Sequence, residues 1–189
     1  MVWTLDKLLV EFCAPALMGV KPANLFRYSS SDSLQVRQEI ANWNEALKKF
    51  GITLTILKEC PLNHSYLIYI YRESMLQPIL DNADVQRFLE KSGYNCDGKI
   101  EDALVTLSNH LCLAKEFPHE IGIFLGYPLE DVVGFIEHQG HDYVYCGYWK
   151  VYGDLKSAVK SFDIYKNCTS YCKDRYEHGD TVLELAVAM

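Results

Sequence analysis

Ile52-Thr53-Leu54-Thr55-Ile56-Leu57 and, beyond residues 58–65, Tyr66-Leu67-Ile68-Tyr69-Ile70-Tyr71 decide the fold. The first run alternates with period two and is rich in β-branched side chains, which reads as a strand. The second is almost continuously apolar, as a central strand covered on both faces would be. Pro61-Leu62-Asn63-His64 supplies turn chemistry between them, so the two runs are expected to pair as an antiparallel hairpin.

Working outward, Leu5, Leu8, Leu9, Phe12 and Ala16 recur at helical spacing behind Thr4 as N-cap, with Trp3 placed to staple onto Leu8. That helix is expected to end or kink near Pro15. Residues 19–28 read as a loop or short strand. Polar residues 29–32 then precede a second helix carrying Leu34, Ile40, Trp43, Ala46 and Leu47, which closes at Gly51. Helical signals dominate from Glu73 to His138, broken between Gly93 and Gly98, with Ile100, Leu104, Leu107 and Leu111 on one face of a helix over 100–114. Residues 143–152 return to strand character with Gly147 as a bulge, residues 156–176 form a late helix, and the tail from Leu183 docks. No linker rich in Gly, Pro or Ser divides the chain. The expected architecture is α+β, a single domain over residues 1–189: a small, mainly antiparallel sheet with a central hairpin, packed by several helices.

Composition sets the outer limits. The chain has 189 residues, 49% of them hydrophobic, and a net charge of −7. A chain this long buries about two-thirds or more of its unfolded surface, so it builds a core without disulfides. Acidic balance and the lack of a run of lysines and arginines weigh against nucleic-acid and anionic-membrane partners. Seven cysteines is an odd number with irregular spacing, which favours free thiols in a reducing cytoplasm. Asp6, Lys7 and Glu11 interrupt the apolar stretch around Leu8–Met18, so no signal peptide is expected. No run of eighteen uncharged apolar residues exists to cross a membrane. Without export, the acceptor patterns at Asn63 and Asn167 carry no meaning.

Phe117-Pro118-His119-Glu120 and Tyr127-Pro128-Leu129-Glu130 repeat an aromatic-Pro-x-Glu start ten residues apart. The pattern predicts two short tandem helices, each with proline in the first helical position and glutamate in the third, stopped by Gly126 and Gly140. The whole segment from Phe117 to Phe135 resembles the signature of a bacterial family known as domain of unknown function 3793. Cys13-Ala14-Pro15-Ala16-Leu17, Lys21-Pro22-Ala23-Asn24-Leu25-Phe26, Leu57-Lys58-Glu59-Cys60 and Gly147-Tyr148-Trp149-Lys150-Val151-Tyr152 extend the likeness over nearly the whole chain. The resemblance implies a cytosolic protein from an anaerobic, reducing organism, and brings no reaction and no catalytic residues with it.

His119-Glu120 invites comparison with zinc peptidases, but Ile123 stands where their second histidine belongs. What survives is His119 as a neutral base or donor near a helix start, set against a purely structural histidine. Cys13 lies on the apolar stripe of the first helix, as a core thiol would. Its order ahead of His119 and a later acid, Asp142 or Asp154, matches that of papain-like enzymes, so Cys13 and His119 stand as a candidate catalytic pair. Cys60 ends the first hairpin strand and is the other candidate thiol. Cys168 with Cys172 and His138 with His141 have ligand-like separations but not zinc-knuckle spacing, so burial and chance explain them better and no metal is assigned.

Tyr143, Tyr145, Tyr148, Trp149 and Tyr152 surround Lys150. Aromatic rings beside a lysine suit a flat ligand bearing an acidic group; the plainer reading is a sheet face filled by rings. No dinucleotide, P-loop or serine-hydrolase fingerprint occurs, and Gly122-x-x-x-Gly126 reads as close helix packing. The leading expectation is a small-molecule or cofactor-binding, redox-accessory protein, its cofactor unspecified. Its pocket would be lined by His119, Glu120, Tyr148, Trp149 and Lys150 and bordered by Cys13 or Cys60. The alternatives are a cysteine enzyme using Cys13 or Cys60 with His119 as base, and an interaction module without chemistry. Sequence does not fix whether the protein is an enzyme, nor its oligomeric state.

Overall fold

In the computed structural model, which describes residues 4–95, 98–113 and 117–188, the sheet has the order β1-β3-β2. Its strands are β1 (Ala23–Ser29), β2 (Ile52–Cys60) and β3 (Ser65–Arg72), and both neighbours run antiparallel to β3. The hairpin predicted from the alternating run is therefore β2–β3, with β3 at the centre. Residues 19–28, left between loop and strand by the sequence, supply β1 from Ala23 onward, paired from Ala23 opposite Tyr71 to Ser29 opposite Ser65. The β2–β3 register slips between Ile56 and Lys58, a bulge at Leu57.

Period-two alternation along β3 feeds two cores. Ile68 and Ile70 join α1 (Leu5–Leu17), α2 (Ser33–Leu47), α8 (Leu155–Glu177) and α9 (Val182–Leu185) on one face. Tyr69 and Tyr71 join α3 (Glu73–Leu80), α4 (Ala83–Lys91), α5 (Ile100–Leu113) and α6 (Ile121–Phe124) on the other, with Val132 of α7 (Leu129–Glu137). Each fully buried leucine or isoleucine here contributes about 1.5–3 kcal/mol. Thr4 caps α1 by accepting from the Lys7 amide, and Gly51 ends the segment after α2 in the left-handed region.

The first helix does not end at Pro15; it runs to Leu17. Proline forfeits one ladder bond, but Ala14, Ala16 and Leu17 are fully buried, and the Arg72 guanidinium takes up the Ala16 and Leu17 carbonyls at 2.6 Å each. Arg72 also donates to Phe50 and Val187 carbonyls at 2.8 and 2.7 Å, so one buried side chain ties the end of α1 to the tail. The tail docks as expected, through α9 and the Val187 amide on the Leu17 carbonyl. The proposed Trp3 staple, Cys96 and Ala114 lie outside the described residues.

Residues 143–152 differ from the single bulged strand the sequence suggested. They form a separate ribbon of two-residue strands, β4 (Tyr145–Cys146) and β5 (Lys150–Val151), closed by a turn in which the Gly147 amide donates to the Trp149 carbonyl. Gly147 lies against α8, where a Cβ would stand 2.3 Å from a Phe162 ring carbon, so this position of the turn admits only glycine without displacing Phe162. The tandem helices are also shifted by one residue or more. Glu120 is the N-cap of α6 and Pro128 that of α7, so neither proline is the first helical residue. Gly126 and Gly140 follow both helices at φ +74° and +75°.

Candidate functional site

The ribbon is held against α7 by one carboxylate. Asp131, 3% exposed in the first turn of α7, accepts the Trp149 indole Nε1–H at 2.6 Å on one oxygen. Its other oxygen takes the Tyr152 and Gly153 amides at 2.7 and 2.9 Å. Glu130 adds a bond from the Asp154 amide. Three donors on a buried carboxylate fix the ring plane of Trp149 as well as its position.

Trp149 stacks on Tyr127 with centroids 4.8 Å apart and meets Phe162 edge-on at 4.5 Å. Between this wall and α7 opens a cleft of about 360 Å³. Phe117, His119, Tyr127, Asp131, Phe135, Tyr148, Trp149 and Lys150 line it, the Asp131 carboxylate already engaged by three N–H donors, with Cys146 and Gly147 from the ribbon and Ile121, Gly122, Leu125 and Val132 at the base. The His119 ring packs 4.7 Å from Phe135. The Lys150 ammonium donates to the Gly140 carbonyl at 2.7 Å and lies over the Tyr143 and Phe135 rings, 4.8 and 5.5 Å from their centroids. An ammonium has three donors, so two of its N–H groups are not used by that bond.

Of the residues singled out from the sequence, His119, Tyr148, Trp149 and Lys150 come together in this cleft. Glu120 turns the other way: it is buried, accepting from the Tyr94 hydroxyl at 3.2 Å and lying 2.8 Å from His110 Nδ1. With four residues, α6 offers the cleft no helix-end field of consequence, so the anion argument rests on side chains. Cys13 is fully buried among α1, the sheet and α8, in the core across the sheet from α6. Burial pushes its thiol far above the ordinary range, with the Lys21 ammonium opposing. Cys60 closes β2 opposite Ser65 and does not line the cleft.

The thiol in the cleft wall is Cys146, which the sequence reading passed over. Its position as the residue before Gly147-Tyr148-Trp149 was the available signal. Phe135 lies one helical turn beyond Asp131, so helix spacing would have placed both on one face. Cys168 and Cys172 are both buried on α8, and the Cys168 thiol donates to the Ala14 carbonyl at 3.4 Å. His138 faces Asp142 at 3.4 Å and stacks on Tyr152. Among the described residues, no group of three or more His, Cys, Asp or Glu side chains is placed to hold a metal ion. Nor is any helix among them long and apolar enough to cross a membrane.

Fold and site together define an α+β protein with a three-stranded antiparallel sheet, helices on both faces and an aromatic cleft beside a stapled ribbon. The chain belongs to the family described as protein of unknown function (DUF3793), matched over residues 9–186. No curated protein and no solved structure matches it.

Proposed function

We propose that the protein binds a small, flat, acidic molecule in the cleft between α7 and the β4–β5 ribbon. The carrying observation is a mostly apolar, aromatic-rich cavity with Lys150 and His119 in its wall and the Trp149 plane fixed by Asp131. Flat rings favour stacking and the ammonium favours a carboxylate or similar anion. At about 360 Å³ the cavity lies near the lower end of the range of roughly 300–1,000 Å³ for small-molecule sites, which suits two or three fused rings and not a macrocycle. Helices on both faces of one sheet, and a tail returned to α1, support a single folding unit, and seven irregularly spaced cysteines support a reducing cytoplasm as its compartment. The net charge of −7 supports a partner other than nucleic acid.

Calorimetric titration with naphthalene-2-carboxylate and its neutral carboxamide tests this. The acid is expected to bind about tenfold or more tightly than the amide, as one charge-assisted hydrogen bond provides, and Lys150→Met should erase the preference. Binding of neither probe would refute the reading. A second reading, an interaction surface, draws on the ribbon rim, where Tyr143, Val144, Tyr145 and Tyr148 are 42–59% exposed. Capture of a partner by the native protein, lost on Val144→Asp with naphthalene-2-carboxylate binding intact, would favour it.

A further inference from the structure

Cys146 is an exposed thiol in the wall of an aromatic cleft that also holds a histidine and a lysine. In the β4–β5 ribbon it lies directly opposite Lys150. Directly paired residues of an antiparallel ribbon point to the same side with Cβ atoms about 4.5–5.5 Å apart, so thiol and ammonium share one face. The ribbon is anchored at this point: Gly147 is pressed on Phe162, and Asp131 holds Trp149, Tyr152 and Gly153. The thiols Cys13, Cys168 and Cys172 are buried away from this cleft, among α1, α8 and the sheet.

We propose that Cys146 is the nucleophile of this cleft and adds to flat aryl α,β-unsaturated carbonyl compounds bound there. The inference rests on the cleft being a ligand site. Stacking against Trp149 and Phe135 holds the conjugated system beside the sulfur, and Lys150 faces the oxygen that becomes negative. The Cys146 thiol gives its proton to the His119 ring, and the sulfur forms a bond to the β-carbon. The carbon–carbon π bond breaks, and its electron pair passes through the α-carbon to the carbonyl oxygen as an enolate. His119 then returns the proton to the α-carbon, leaving a saturated thioether. No oxidant or reductant is consumed. Reversal of the same steps releases the compound, so the adduct is a reversible covalent complex.

The test uses the intact native protein and 3-(2-naphthoyl)acrylate, a flat acidic enone, with adducts located by peptide mass spectrometry. Cys146 should be modified at least about tenfold faster than Cys60 or Cys112, with a rate that saturates in probe concentration, as reaction from a bound complex requires. Naphthalene-2-carboxylate, which cannot form the bond, should protect Cys146 and leave Cys112 unprotected. Cys146→Ser should abolish the fast phase, and His119→Gln should lower the maximal rate at saturating probe, a readout that a change in binding alone does not move. If naphthalene-2-carboxylate binds but Cys146 reacts no faster than Cys112, the nucleophile is overturned and the binding site stands. If it neither binds nor protects, the binding reading has failed, and the nucleophile assignment falls with it whatever the rate at Cys146.

Discussion

Trp149 Nε1 donates to Asp131 at 2.6 Å, and this bond joins an aromatic ribbon to the helix that forms the opposite wall of the cleft. Replacing Asp131 by asparagine puts an amide where a carboxylate accepts three N–H donors. One donor then loses its acceptor or faces an NH2 group. Asp131→Asn is expected to cost about 1–3 kcal/mol in urea unfolding and to shift Trp149 emission to the red as the ring is released to water. Unchanged emission and stability would show that the ribbon is held without this carboxylate.

Arg72 is fully buried and spends its guanidinium on four backbone carbonyls, those of Ala16, Leu17, Phe50 and Val187. A lysine keeps the charge but cannot span four acceptors in a planar fork. Arg72→Lys is therefore expected to lower stability by about 3 kcal/mol or more, since hydrogen bonds to charged groups are each worth roughly 1.5–3 kcal/mol. Hydrogen exchange at the end of α1 and at α9 should rise together. Loss confined to one of them would separate the two anchors.

Lys21, 2% exposed, donates to the Ala23 carbonyl and lies 5.4 Å from the centre of the Tyr127 ring, with Cys13 nearby. Burial pushes its ammonium down to about 7 from an ordinary 10.5, with Cys13 opposing. Between those values the unfolded chain holds a proton that the folded chain has released, so Lys21 makes stability rise with pH through that window. Cys13 acts in the other direction above its ordinary value of 9.0, because burial keeps its thiol protonated in the fold. Unfolding free energies of the native protein and Lys21→Met should therefore diverge steadily from pH 7 to 9, with the native protein gaining. Parallel curves would show that Lys21 keeps its charge when buried.

The hairpin was legible because β-branched alternation and a turn are local signals, and the central place of β3 followed from apolarity on both faces. Gathering His119, Tyr148, Trp149 and Lys150 in one place was legible too, since each sits in a dense aromatic segment. Glu120 shows the limit. Beside His119 it reads as a helix-start carboxylate, but its direction is set by Tyr94 and His110, which lie 26 and 10 residues away in sequence. Asp131 looks like any first-turn acid until α7 meets the ribbon. Cys146 stands out only once the turn at Gly147 has brought Lys150 opposite it.

A ligand held in the cleft must touch Trp149, whose ring forms its wall. Its indole N–H can be followed by nitrogen-15 NMR beside that of Trp43, which packs against the α1 and α2 core across the sheet from α6. Titration with naphthalene-2-carboxylate is predicted to move the Trp149 indole resonance saturably and leave Trp43 in place, and to leave both in place in Phe135→Ala with its widened wall. A Trp149 resonance that stays fixed at saturating probe, or that moves no more than Trp43, would contradict the cleft as a binding site.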